Sequence, residues 1–186
     1  MPISPHEKLK KGDPAFAKKV SDKFRHAKQA KRQLFHMWRT QKAFVDGQQY
    51  VNSSTGQGAR KAPAGRVRLT HNVCAPIVTT ATSKLTQQEP GWRVRPRGVD
   101  TKRVSAARAG ELLLKFQYQP SGLLTALYGA CWWAVVNGTG FIHRSWDEFR
   151  KRSVLKAYGP HDVYPDYSAD SPRDISWTVL THQLTE

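Results

Sequence analysis

Apolar and polar positions alternate with two different periods along this chain, and the change between them divides it. From residue 13, "DPAFAKKVSDKFRHAKQAKRQLFHMWRTQKAFVDG" places Phe16, Val20, Phe24, Ala27, Leu34 and Trp38 at steps of three, four or their sum. That is one stripe of an amphipathic helix. Asp13 is its expected N-cap, with Pro14 at the first helical position, and Asp46-Gly47 is its expected stop near Phe44. Lys18, Lys19, Lys23, Lys28, Lys31 and Arg32 are expected to cover much of the remaining circumference. A long helix with so narrow an apolar stripe packs on a neighbouring element or on another subunit.

"LTHNVCAPIVTTATSKLTQQEP" resumes a helical pattern, with Val73, Ile77, Thr80 or Ala81, and Lys84-Leu85 as the expected stripe. Pro76 fits the first turn or a kink, and Glu89-Pro90-Gly91 ends the helix. "WRVRPRG" then changes period. Trp92, Val94 and Pro96 alternate with Arg93, Arg95 and Arg97, the pattern of a half-buried strand with a basic outer face. Pro96 places it at an edge or at the strand's end.

"DTKRVSAARAGELLLKFQYQ" reads as a helix capped by Asp100 and ended by Pro120. Val104, Ala107, Leu112 or Glu111, Leu114-Lys115 and Tyr118 are its expected buried side. Ser121 is the expected cap of the next helix. There Leu123, Leu124, Leu127, Tyr128, Cys131, Trp132, Val135 and Val136 occupy nearly the whole circumference, the mark of a buried helix. Asn137-Gly138 offers a left-handed stop. The strands "GFIHRSWD" and "SVLKAYG" flank the charged turn "EFRKR" as a hairpin, and "DISWTVLTHQL" alternates as a further strand. Between them "PHDVYPDYSADSPRD" reads as a connector. The predicted class is α+β, with long helices first and a small antiparallel sheet after them. The expected organisation is a basic tail over 1–12, a basic amphipathic helix over 13–51, a flexible loop over 52–66 and an α+β domain over 67–186. The chain stops soon after a strand and reads as part of something longer.

Charge sharpens this picture. The 186 residues carry a formal net charge of +16. Residues 1–70 hold 16 Lys/Arg against 4 Asp/Glu, so the N-terminal third carries most of the imbalance. Such a field attracts polyanions and is screened by salt. Outward basic side chains are also commonly just solvated. Lys18, Lys19, Lys23, Arg93 and Arg95 are the candidates for contact with nucleic acid or with an acidic partner.

Candidate chemistry is sparse. The seven histidines have neither HExxH spacing nor a CxxC partner, and Cys74 and Cys131 stand far apart as expected buried thiols. The loop's GxGxR lacks the order of a phosphate cradle. Asp162, Asp166, Asp170 and Asp174 lack the order of a calcium loop and suit a polar turn with Asx-type caps. No catalytic residue, cofactor or metal is expected, and nothing argues for an enzyme. Leu123–Val136 would span about 21 Å as a helix against a hydrocarbon core of ~30 Å, so a membrane span is not expected either.

The order of these segments resembles the N-terminal part of the portal protein of short-tailed phages. "RLTHNVCAPIVTTATSKLTQQEPGWRVRPRG" is similar to that family's early helix, with Asn72 near its start, and to the short strand with a Pro-rich end that follows it. "AARAGELLLKFQYQPSGLLTALYGACWWAVVNGTGFIHRSWD" is similar to the next two helices, the small-residue turn and the strand ending in Trp-Asp, here Trp146-Asp147. "VLKAYGPHDVYPDYSADSPRDISWTVLTHQL" is similar to the following strand and P-x-D-x-Y-x-D-P connector, although Asp166-Tyr167 stands where a DP step is common. The resemblance covers roughly residues 35–186, and basic residues 8–32 depart from it as an extra arm.

It implies a wing-like region of a ring-forming structural protein, commonly a dodecamer, at the capsid vertex of the virion, assembled in the host cytoplasm. Such a ring passes double-stranded DNA during packaging and ejection and docks terminase, scaffold and tail proteins. Portal proteins are several times longer, so stem, clip and channel loop would lie beyond Glu186. A free-standing basic nucleic-acid-binding module is the competing reading, favoured by the N-terminal charge.

Overall fold

Residues 14–51, 65, 67–88, 90–118, 121–171 and 173–181 are described by the structure, a computed structural model. Among them lie five helices: α1 (Pro14–Ala30), α2 (Arg32–Val45), α3 (Cys74–Thr86), α4 (Thr101–Tyr118) and α5 (Leu123–Asn137). Four strands follow: β1 (Phe141–Asp147), β2 (Arg152–Tyr158), β3 (Val163–Pro165) and β4 (Thr178–Leu180). The fold is α+β, with two antiparallel two-stranded sheets, β1–β2 and β3–β4. The described chain divides into two compact units. One comprises residues up to Met37 together with those from His161 onward, and the other Trp38–Pro160. The expected basic tail, the Asp13 cap, nearly all of the 52–66 loop, Pro120 and the chain after Thr181 lie outside the described residues.

In the Trp38–Pro160 unit, α5 packs against α3 and against both strands of the β1–β2 hairpin. Its buried positions include Ala126 and Ala130, one helical turn apart. These small residues bring the hairpin close. A Cβ on Gly129 would stand 2.9 Å from the Cβ of Ala157 on β2, and one on Gly140 would overlap the carbonyl of Ala130. Close approach of this kind excludes larger side chains, and it corrects the expectation that α5 is buried all round. The large residues Leu124 and Tyr128 are exposed because the packed faces are the small-residue ones.

The ends of α5 follow backbone conformation. Gly138, with φ +80°, is the C-cap, and its N–H donates to the carbonyl of Ala134 at 2.8 Å. This is the left-handed stop that Asn137-Gly138 predicts. At the other end the cap position is Gly122, also left-handed, with no side-chain cap bond. Ser121 is therefore not the expected side-chain cap. It is buried, and its carbonyl accepts from the Leu155 N–H at 2.9 Å, which ties the start of α5 to β2. The hairpin itself forms as expected, in a register that pairs Phe141 with Tyr158 and Asp147 with Arg152.

On α3 the predicted stripe is the wrong face. Val78 and Thr82 are buried, whereas Val73, Ile77 and Leu85 are exposed. Thr82 reads as polar in the sequence, yet its hydroxyl donates to the Val78 carbonyl at 2.8 Å. Thr86 repeats the arrangement on Thr82 at 2.9 Å. A hydroxyl satisfied within its own helix can enter the core. Asn72 joins the end of α2 to the start of α3, donating from Nδ2 to the Val45 carbonyl at 2.8 Å and accepting at Oδ1 from the Ala75 N–H at 3.1 Å.

The expected strand over 92–96 does not pair. Residues 91–97 have no strand partner, and Val94 lies beside Gly110 of α4, so its apolar side meets a helix rather than a sheet. On α4, Val104, Ala107 and Glu111 turn inward, while Leu112 and Leu114, two of the expected buried residues, are exposed with Leu113 and Phe116.

The other unit packs α1 against β3 and β4. The connector at 160–174 hides β3, whose Val163 and Tyr164 are buried and pair with Leu180 and Val179 of β4. Three residues are too few for alternation to announce a strand. The expected single helix through Phe44 is interrupted at Lys31, although the Lys31 N–H still donates to the Ala27 carbonyl at 3.1 Å.

Two glycines separate conformation from space. Nothing approaches a Cβ built on Gly138, so Gly138→Ala should cost about 1–2 kcal/mol through its left-handed backbone alone. Gly140→Ala should cost more, because the hairpin must move away from α5. Urea unfolding of both variants checks this. A smaller loss for Gly140→Ala than for Gly138→Ala would contradict the close-approach argument.

Candidate functional site

Phe24 and Lys23 of α1, and Lys31 just beyond its end, meet the β3–β4 hairpin. Phe24 stands edge-on to the Tyr164 ring, with centroids 4.8 Å apart at 69°. Lys23 places its ammonium 5.1 Å from the Trp177 ring centroid and helps to lower the carboxyl of Asp166. Lys31 is fully buried, donates from Nζ to the Val163 carbonyl at 2.8 Å, and lies 3.9 Å from the Tyr164 ring centroid. Burial pushes the Lys31 ammonium down to about 8, with Asp162 opposing the shift. Burial also raises the Tyr164 phenol, reinforced by Asp162.

The placement of Lys31 corrects its assignment to the basic outer face. The sequence signal was a gap in the stripe. Ala27 and Leu34 are seven residues apart, and position 31 lies between them on the same face. The hydrocarbon stem suits a helix–sheet interface, and the ammonium is satisfied by a carbonyl and a ring face.

Lys18 and Lys19 are exposed on α1, as are Arg25 and Lys28. Arg25 has an acidic neighbour, Asp22 at 3.7 Å, in an exposed pair of little energetic weight. Lys23 is half-buried against Trp177. Arg93 and Arg95 are exposed in the extended segment of the other unit. Basic candidates thus fall into two groups, one on each unit: Lys18 and Lys19 on free helix surface, and Arg93 and Arg95 on unpaired backbone. Lys23 belongs as much to its own hairpin as to any partner.

The acidic run organises a turn. Asp166 accepts from the Ser168 N–H at 3.1 Å, the Ser168 hydroxyl at 2.5 Å and the Ser176 hydroxyl at 3.1 Å. The Ser168 hydroxyl is the main reason that its carboxyl is held low. These bonds join residues 166–168 to the approach of β4, the Asx-type role that the sequence suggested. Among the described residues no three His, Cys, Asp or Glu side chains gather as a metal site, and no helix is long and apolar enough to cross a membrane. Cys74 and Cys131 are free and half-buried rather than buried.

The other surface of note is apolar. An open, largely apolar face of α3 is formed by Pro76, Ile77, Thr80, Ala81 and Lys84. Leu112, Leu113 and Phe116 project from α4. Compared with protein-family models, curated proteins and solved structures, the chain matches none.

Lys31 yields a pH prediction. Its folded value near 8 lies below the ordinary 10.5, so the unfolded chain binds more protons between those limits and stability rises with pH there. Relative to Lys31→Met, the wild-type urea midpoint should climb between pH 8 and 10, since Asp162 and Tyr164 remain in both. A constant difference across that window would contradict the burial of a charged Lys31.

Proposed function

We propose that this chain is a structural subunit of a portal-type ring at a phage capsid vertex, a conduit for double-stranded DNA that itself hydrolyses nothing. One observation carries the reading: the Trp38–Pro160 unit leaves large apolar side chains of two helices, α3 and α4, in contact with solvent. Monomeric domains seldom expose such patches without a binding role. A ring subunit finishes its core against its neighbours. The order of α3, the basic segment 91–97, α4, α5, the glycine turn and the hairpin ending at Trp146-Asp147 also follows the succession on which the portal resemblance rests. The unpaired 92–96 segment is a departure from it.

In this reading the protein acts by position. Ring copies hold a closed path of fixed width, with terminase, scaffold and tail proteins as docking partners in the virion. The exposed arginines and lysines keep the surface tolerant of DNA's charge. Lys18, Lys19, Arg93 and Arg95 supply the contacts, and Lys23 contributes from the edge of its hairpin. A dodecamer is the expected stoichiometry. Negative-stain electron microscopy of the purified chain over rising concentration tests the reading. Annular particles are expected, and particles that remain monomeric would overturn it.

A second reading, a basic nucleic-acid-binding module, rests on the exposed Lys18 and Lys19 beside Arg25 and Lys28 on α1. Filter binding to duplex DNA across salt separates the two. For a dedicated module, Lys18→Glu combined with Lys19→Glu should weaken binding uniformly across sequences and reduce the salt slope by about 2. For the ring subunit, the isolated chain should bind DNA weakly, and the double variant should leave assembly unchanged.

A further inference from the structure

We propose that β1 is an acceptor edge, to which an extended acidic segment of a partner protein adds as the third strand of the β1–β2 sheet. This edge and its partner are independent of the ring reading, because they stand on the backbone of the hairpin alone.

The direction of the backbone groups follows from one bond. The Leu155 N–H donates to the Ser121 carbonyl at 2.9 Å, so at Leu155 the backbone of β2 points away from β1. In an antiparallel pair, residues alternate between bonding across the ladder and pointing both backbone groups outward, and directly opposed residues do the same. Arg144 stands opposite Leu155, so its N–H and C=O point away from β2, as do those of Ile142 and Trp146 on either side. Ser121 covers the outer edge of β2 at Leu155. The outer edge of β1 has no such cover: among the described residues β1 pairs with β2 alone, and the five residues between Phe141 and Asp147 are all exposed.

Sheet edges are commonly guarded by short length, proline, a bulge or a charge laid over them. β1 has seven residues in unbroken register and no proline. The one cation among its outward positions, Arg144, is drawn back across the hairpin, where Nε donates to the Ser153 hydroxyl at 2.8 Å. Ile142, Arg144 and Trp146 share one face of the sheet, the face on which Ala157 meets Gly129 of α5. Trp146 is 60% exposed and Ile142 42%. The edge therefore presents three N–H and three C=O groups beside an apolar–basic–apolar row of side chains. A two-stranded hairpin is marginal by itself, and a third strand adds to its stability.

Cross-strand pairing selects the occupant. Main-chain bonds hold an added strand, and the side chains opposite it give specificity. A strand bonded to Ile142, Arg144 and Trp146 sets its own residues opposite them on the same face, so it should read apolar, acidic, apolar at alternate positions. The charge around the edge agrees. Of the two acidic residues of the hairpin, Asp147 is engaged in the turn, where it accepts from the N–H groups of Phe149 and Arg150 at 3.0 Å each. That leaves Glu148 against Arg144, Arg150, Lys151, Arg152 and Lys156. A second copy is the poorer occupant. The one antiparallel register that overlaps all seven residues of two β1 strands sets Arg144 directly against its own counterpart, and like charges so placed destabilise a sheet.

The test titrates the full chain with the end-blocked peptide Thr-Val-Thr-Glu-Thr-Val-Thr and follows amide exchange by NMR. The N–H groups of Ile142, Arg144 and Trp146 should gain protection, while those of His143 and Ser145, already bonded across to β2, should keep theirs. Arg144→Pro removes an outward N–H and no ladder bond, so the hairpin should survive, which the urea midpoint verifies; Ile142→Pro serves if it does not. Peptide binding to Arg144→Pro should fall at least ~10-fold. Arg144→Ala keeps the N–H and should lose roughly 2–5-fold. A peptide with Lys in place of Glu should bind more weakly. No binding, protection that rises at all five residues alike, or undiminished binding by Arg144→Pro would overturn the proposal, as would a Lys peptide that binds as well as the Glu peptide. Self-association of the chain that Arg144→Pro abolishes would put a second copy on the edge and overturn the acidic partner. Tighter binding of oligothymidylate than of the peptide at these residues would assign the edge to nucleic acid and overturn it too.

Discussion

The constraint on which most of the Trp38–Pro160 unit depends is the close approach of the β1–β2 hairpin to α5. Gly129 faces Ala157, and Gly140 lies against the Ala130 carbonyl with no room for a methyl group. Large side chains on α5 are thereby turned toward other surfaces. The Ser121 carbonyl receives the Leu155 N–H, so the start of the helix is tied to the middle of β2. The left-handed Gly138 then reverses the chain into β1. Small residues set a short helix–sheet distance, and that distance decides which apolar side chains remain outside.

Helix existence was largely legible in the sequence, because caps and breakers mark ends strongly. Asp46-Gly47, Asp100 and Asn137-Gly138 all punctuate helices close to where they stand. Facing was much less legible. On α3, a threonine that satisfies its hydroxyl on its own backbone entered the core, while isoleucine and leucine stayed out. On α4, a near-continuous apolar run after Gly110 offered no single face, so periodicity could not say which side is packed. Alternation misread 92–96 as a strand because the partner of Val94 is a helical glycine. The three-residue β3 was too short to show a period at all.

The basic candidates divide in the same way. Lys18, Lys19, Arg93 and Arg95 are where a charge count would put them, on open surface. Lys31 is the exception, and it shows what a stripe analysis omits. A long side chain can occupy an apolar position when its stem packs and its ammonium finds a carbonyl and an aromatic face. Val163 and Tyr164 beside it, with Phe24 edge-on to Tyr164, make the joint between α1 and the β3–β4 hairpin. The described surface is basic on α1 and along 91–97, and apolar along α3 and α4.

An account in which α3 and α4 are interface elements, and α5 with its hairpin is the finished core, makes a graded claim about backbone protection. Hydrogen exchange measured residue by residue at low and high protein concentration tests it most directly. Amides of α5 and β2 should be protected equally at both concentrations, while those of α3 and α4 should gain protection as concentration rises. Exchange in α3 and α4 that is independent of concentration would contradict the account.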